Sequence, residues 1–175
     1  VLDESTEKPE MNGGLRQRED TADAPLTLGW REWIALPQIG LPLIKAKIDT
    51  GARTSTLHAF YVESFQRGGE RWVRFGVHPL QRRTDVVVHC QAPVLDRRTV
   101  SDSGGHRERR YVIATRVEVG GIAWPMELTL TNRDAMLFRM LLGRTAMAGR
   151  VVVDPQGSYL CGRQRAPRSR YLGAP

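Results

Sequence analysis

The chain has 175 residues, 41% of them apolar, which is enough for one domain with a genuine core. Its formal net charge of +7 and pI near 10.1 favour an acidic partner, whether nucleic acid, anionic membrane surface or acidic polypeptide, without choosing among them. No apolar run approaches the roughly 18 residues needed to span a bilayer, and Cys90 and Cys161 stand at no metal-binding or redox spacing, so a cytoplasmic protein with free thiols is the expectation.

Residues 1–25 are rich in Glu, Asp, Gly and Pro and poor in large apolar side chains. Residues 1–27 are expected to be disordered or loosely attached, and their polar, acidic character is not that of a signal peptide. Residues 28–162 form the predicted folded domain. Residues 29–36 alternate well enough for a first strand, Pro37 and Gly40 mark a turn, and residues 43–48 return as a second strand that delivers Asp49. Residues 55–60 continue as strand. Residues 61–65 and 71–77 read as a hairpin closed by Arg67, Gly68, Gly69 and Glu70. The three valines at 86–88 predict a strand over 85–90. Residues 94–100 and 107–114 flank a small, polar, Gly-rich tip at 101–106, and residues 117–119 and 123–130 enclose Gly120 and Gly121. Asn132 or Asp134 is a plausible cap for a short helical turn at 135–137. Residues 140–142 predict a buried strand ending on Gly143, with a helix starting at Arg144; residues 151–154 and 158–160 complete the sheet, and 163–175 form a basic tail. The sum is a small, closed, all-β domain with very little helix.

The stretch with the most chemical content is KAKIDTGARTSTLHA, residues 45–59. Leu43, Ile44, Ala46 and Ile48 run into Asp49, followed at once by Thr50, Gly51 and Ala52. This reads as a strand that stops on a carboxylate held in a tight turn. Gly51 tolerates positive φ and close backbone approach, and the Thr50 hydroxyl can help fix the turn. A carboxylate presented at a strand end is a candidate for acid–base work on water. The same residues also fit a surface turn in which Asp49 only caps the loop.

The segment resembles the active-site loop of retropepsin-like aspartic proteases, in which a hydrophobic strand precedes D-T/S-G-A. Downstream, Met140, Leu141, Leu142, Gly143 and Arg144 resemble the apolar-apolar-Gly stretch that supports the catalytic loop in that fold. More specifically, GWREWIALPQIGLPLIKAKIDTGARTSTLHAF, WVRFGVHP, DRRTV, RYVIATRVEVGG, ELTLTNRDAMLFRMLLGRTAM and VVVDPQGSYL together resemble a bacterial family named ATP-dependent zinc proteases, which includes RimB and is often encoded beside a RimK-type glutamate ligase. The resemblance covers about residues 29–160.

The resemblance implies an all-β, retropepsin-like barrel with one short helix. A chain with a single DTG supplies half of a two-carboxylate site, so it also implies a homodimer in which two copies of Asp49, each with Thr50 and Gly51, meet at a twofold axis. Ala52, Arg53, Thr54 and His58 then border the substrate. Retropepsins that cut neutral peptides tend to carry acidic residues near position 53, so Arg53 suits an anionic substrate, or it pairs with a nearby carboxylate. The hairpin with Ser103, Gly104, Gly105 and His106 at its tip is the candidate flap. Arg97, Arg98 and Arg110 flank it and suit a polyacidic chain, with Asp96 and Asp102 as alternative internal partners. His58 fits a structural role as well as a substrate-binding one.

The zinc in the family name finds no support in the residues: none of the four histidines, His58, His78, His89 and His106, falls in HExxH, and no CxxC pair exists. No GxxxxGK(S/T) loop is present for ATP. No metal or cofactor is expected. The expected activity is aspartic-type hydrolysis of acidic, poly-α-glutamate tails such as those a RimK-type ligase adds, with no membrane partner. The alternative is a catalytically silent, basic β-barrel that binds an acidic partner, such as a ligase or a nucleic acid. For nucleic acid, Trp30, Trp33, Trp72 and Trp124 are available, but no RNP-like strand is present.

Overall fold

The computed structural model describes residues 24–101, 104–132 and 137–172. Twelve strands and one short helix follow one another as β1 (Leu26–Gly29), β2 (Arg31–Leu36), β3 (Leu41–Asp49), β4 (Ser55–His58), β5 (Tyr61–Arg67), β6 (Glu70–Val77), β7 (Val88–Pro93), β8 (Asp96–Ser101), β9 (Arg107–Val119), β10 (Ile122–Thr131), β11 (Met140–Gly143), α1 (Arg144–Met147) and β12 (Val151–Asp154). The domain is all-β and retropepsin-like, as the sequence implies.

Six strands close into a ring in the order β10-β4-β11-β3-β2-β9, with β9 returning to pair with β10; β8 hangs from the far edge of β9. Closure removes the exposed edges that an open sheet of this size would carry. A second sheet, β5-β6-β7, packs its Val73, Phe75, Val77, Cys90 and Ala92 into the same core as the ring's Ile34, Ile44, Leu57, Ile113, Leu128, Met140 and Leu142. Alternation explains the inward set: β2 runs partly exposed, buried, partly exposed, buried along its length. Both cysteines are free, and burial pushes the Cys90 thiol up to about 12.

The structure departs from the sequence reading in three places, and it adds a contact made by the tail. The first predicted strand is broken at Trp30: β1 leaves the barrel to pair in parallel with β12, and only β2 pairs with β3. At the break, the backbones are so close that a side chain on Gly29 would lie 2.4 Å from the Gly157 carbonyl oxygen. The valine run begins its strand only at Val88, because Arg82 takes φ +56° and Arg83 clamps Asp85 through two hydrogen bonds of 2.8 Å, which holds residues 82–85 as a loop. Residues 158–160 are a turn, since Tyr159 also has φ +56°, a conformation no strand accepts. The basic tail folds back: its Tyr171 hydroxyl donates to the Leu43 carbonyl on β3. Of the two proposed caps near residue 134, Asp134 lies outside the described residues, and Asn132 Nδ2 instead donates to the Phe60 carbonyl at 3.2 Å.

Candidate active site

Asp49 is the last residue of β3, and the loop that follows leads to β4. Strand β11 lies between those two strands, parallel to β3 and antiparallel to β4, so the loop passes around its end. In this register Gly143 is opposite Asp49. The loop is strapped to the start of α1 by its carbonyls: Gly51 accepts from Arg144 Nη1 at 3.0 Å, Ala52 from the Arg144 N–H at 2.9 Å, and Arg53 from both the N–H and the hydroxyl of Thr145 at 3.0 and 2.8 Å. These bonds satisfy backbone groups that a loop would otherwise leave to solvent, and they fix the position of the carboxylate.

Asp49 organises its own turn. Its Oδ1 accepts the N–H groups of Gly51 and Ala52, both at 3.1 Å, while Lys47 Nζ approaches Oδ2 at 3.3 Å. Thr50, expected to help fix the turn, is exposed. Gly51 is not among the glycines with positive φ; its missing side chain matters because a Cβ there would lie 3.3 Å from Asp49 Oδ1.

Asp49 opens onto a cleft of about 1070 Å³. Five basic side chains line it (Lys47, Arg53, Arg98, Arg110 and Arg144), against two carboxylates, Asp49 and Glu127. Its floor is built of the buried hydroxyls of Thr56, Thr129 and Thr131. Thr56 and Thr129 bond to each other at 3.0 Å, and Thr131 donates to Glu108 at 2.8 Å. Arg98 is gripped by both Glu127 oxygens and, through Nε, by Asp96 at 2.6 Å. Those hydrogen bonds hold the carboxyls of Glu127 and Asp96 below their usual range and raise the Arg98 guanidinium. Arg110 is only 6% exposed and donates to Glu108 at 2.7 Å.

The structure thus gathers Asp49, Gly51, Ala52, Arg53, Thr54, Arg98 and Arg110 around one cleft. Three expected members stand apart, the exposed Thr50 among them. Arg97 points to the other face of β8 and lies over the Tyr111 ring at 5.0 Å, as strand alternation requires. His58 is 1% exposed and does not line the cleft, because β4 turns it into the interior. The hairpin expected as a flap forms from β8 and β9; Arg98, Thr99, Val100 and Ser101 of β8 line the cleft, whereas Gly104, Gly105 and His106 at the tip are exposed and do not. Ser103 lies outside the described residues. Sequence reasoning missed Lys47, Glu127, Thr129, Thr131 and Arg144. Lys47 had a signal, since its spacing of two from Asp49 puts both on one face of β3. The others are distant in sequence and reach the cleft through topology alone. Among the described residues, no three His, Cys, Asp or Glu side chains converge in a way that could hold a metal ion, so the donor set does not fit zinc.

A closed six-stranded barrel, a carboxylate in a Gly turn and a glycine-ended strand threaded behind it define the retropepsin-like class. Residues 27–164 match the RimB-like family, described as "Retropepsin-like aspartic endopeptidase RimB", and the chain belongs to that family. Among curated proteins, it is 48% identical over 143 residues to a "Probable alpha-L-glutamate ligase" of Shewanella halifaxensis, covering 82% of this chain and 31% of that protein. It is 51% identical over 150 residues to a protein of the same description from Parasynechococcus marenigrum, covering 86% of this chain and 32% of that one. The chain therefore spans about a third of the length of these curated relatives. A crystal structure of a protein of unknown function from Legionella pneumophila shares the fold, with a TM-score of 0.66 and 24% identity over 79% of this chain and all of that one.

Proposed function

We propose that the chain is an aspartic endopeptidase that acts as a homodimer through paired Asp49 residues and hydrolyses acidic, glutamate-rich peptide tails. The observation that carries this reading is the placement of Asp49. It is a strand-end carboxylate, fixed by two backbone N–H groups, at a cleft lined by four arginines and a lysine against one other carboxylate, Glu127.

One carboxylate cannot both deprotonate water and protonate the scissile carbonyl. Two that face each other across an axis can, because like charges so close share a single proton. The ionised Asp49 takes a proton from water as its oxygen attacks the peptide carbon, and the protonated Asp49 gives its proton to the carbonyl oxygen. Collapse of the tetrahedral diol breaks the C–N bond, and the amine leaves with a proton from the pair. The exposed Thr50 and the accessible Asp49 suit a twofold contact at this face. The outer edge of β8 runs along the cleft and can hold an extended peptide by its main chain. The net charge of +7 and the excess of cations over carboxylates lining the cleft favour carboxylates on that peptide. The likeness to proteins named as probable glutamate ligases supports a ligase of RimK type as the source of such peptides and as this chain's functional partner.

The Lys47–Asp49 ion pair favours a second reading, in which Asp49 is a structural anchor and the domain binds acidic partners without cutting them. Incubation with poly-α-glutamate near neutral pH, wild type beside Asp49→Asn and each with and without a chelator, separates the two. Cleavage lost only on substitution is the expected result. Undiminished cleavage by Asp49→Asn overturns the aspartic mechanism, loss on chelation assigns the reaction to a metal, and binding with no cleavage by either protein favours the silent module.

A further inference from the structure

The five cations of the cleft are not equivalent. Arg98 spends Nε and both terminal nitrogens on the carboxylates of Asp96 and Glu127. Arg110 is buried against Glu108, which also holds Thr131, and Lys47 rests on Asp49. Arg53 and Arg144 differ: neither forms an ion pair within 4.0 Å of a carboxylate among the described residues, and Arg53 feels Glu127 only through the weakest of the influences on that carboxyl, its two oxygens being held by Arg98. Arg144 gives one nitrogen to the neutral Gly51 carbonyl and keeps its charge uncompensated. The Arg53 side chain is exposed, while its carbonyl is pinned by Thr145, so the root of the side chain is fixed even though its head is not.

We propose that Arg53 and Arg144 together form the carboxylate-binding subsite of this cleft, and that Arg98 and Arg110 are structural, already neutralised from within. This rests on an acidic peptide as the ligand. The two side chains start from segments bonded to each other, the loop after Asp49 and the first turn of α1, and both line the cleft onto which Asp49 opens. A guanidinium not hydrogen-bonded to a carboxylate keeps donors for a bidentate one; a guanidinium already bridged would have to break an existing pair first. Peptide is favoured over single-stranded nucleic acid because, among the described residues, no aromatic ring lines the cleft for a base to stack on, whereas the edge of β8 offers backbone groups.

The test is binding of fluorescently labelled hexa-α-glutamate to the Asp49→Asn protein, which removes turnover from the measurement, at about 0.15 M salt, where the Debye length is about 8 Å. Arg53→Gln and Arg144→Gln each weaken binding by roughly tenfold or more. Arg97→Gln, which removes an equal charge from outside the cleft, changes it by less than about threefold, and so does the charge-neutral double substitution Arg98→Gln/Glu127→Gln. Arg53→Gln decides the matter should Arg144→Gln unfold, because the Arg53 side chain takes no part in strapping the loop. Wild-type affinity in Arg53→Gln, a loss in the Arg98/Glu127 double variant as large as in Arg53→Gln, no binding of hexaglutamate at all, or equal binding of an oligothymidylate overturns the proposal. Binding with the expected dependence on Arg53, alongside no cleavage by the unaltered protein, removes the peptidase reading and leaves the subsite standing.

Discussion

Gly143 stands opposite Asp49 in the parallel register of β11 and β3, and the chain leaving Asp49 crosses back directly over it. A Cβ on Gly143 would lie 2.6 Å from the carbonyl carbon of Thr54 and 2.8 Å from the Ser55 nitrogen. The glycine is required for space and not for conformation, since its φ of −87° and ψ of 165° are open to any residue. Its N–H donates to the Ser55 hydroxyl at 3.0 Å, so the tight crossing is also hydrogen-bonded.

Gly143→Ala should therefore push the loop at 54–55 away from β11. Overpacking of this kind costs about 1–3 kcal/mol, and here the displaced atoms are backbone, which cannot swing aside. We expect a fall in the urea midpoint of that order together with loss of any activity that depends on Asp49. An alanine variant as stable as the parent would show that β11 and the loop separate without penalty.

Glu32 makes a second prediction. Its side chain is fully buried in β2, yet it accepts from the N–H groups of Gly29 at 2.7 Å, Leu160 at 2.8 Å and Cys161 at 3.2 Å. The carboxylate thereby fastens the break between β1 and β2 to the turn that follows β12. Glu32→Gln keeps the shape but removes the charge and turns one acceptor into a donor facing backbone N–H groups. Hydrogen bonds to charged groups contribute about 1.5–3 kcal/mol each, so a loss of at least that size is expected in equilibrium denaturation. A neutral effect would mean that water replaces the carboxylate at no cost.

Glu32 also illustrates what could be read in the chain beforehand. The alternation of β2 puts position 32 on the same inward face as Ile34 and Leu36, so a charged residue there was visible as an anomaly, although two of its three partners lie 128 and 129 residues away. Local signals served well: Gly68–Gly69 and Gly120–Gly121 close hairpins between strands whose patterning is clear, and the DTGA run marks the end of β3. Reading failed where a backbone conformation contradicts the side-chain pattern, as at Tyr159, and where a partner is remote. The partners of Arg98 and Arg110 are legible only in part: Asp96 and Glu108 stand two residues away on the same strands, whereas Glu127, the second partner of Arg98, comes from β10, and Arg144 is absent from a local reading because only the insertion of β11 brings it to Gly51. Arg97 could have been set aside, since adjacent strand residues point to opposite faces.

The Arg98 cluster makes stability depend on pH in a definite sense. Hydrogen bonds from Arg98 hold the Glu127 carboxyl below its ordinary value of 4.5, and those from Arg98 and from the Arg97 N–H hold Asp96 below 3.8. A carboxyl whose affinity for protons is lower in the folded than in the unfolded state stabilises the fold above its unfolded value. That contribution fades as the pH falls through the lowered, folded one. Glu127→Gln cannot titrate and lacks the contribution at every pH. The gap in urea midpoint between wild type and Glu127→Gln should therefore be widest near neutrality and close as the pH falls through the ordinary carboxyl value of 4.5 and on through the lowered, folded one. Because the pair is partly exposed, solvent screening keeps the effect modest and added salt should narrow it. A gap that stayed constant across this range would mean that Glu127 stabilises β10 by packing alone and that its charge on Arg98 contributes nothing.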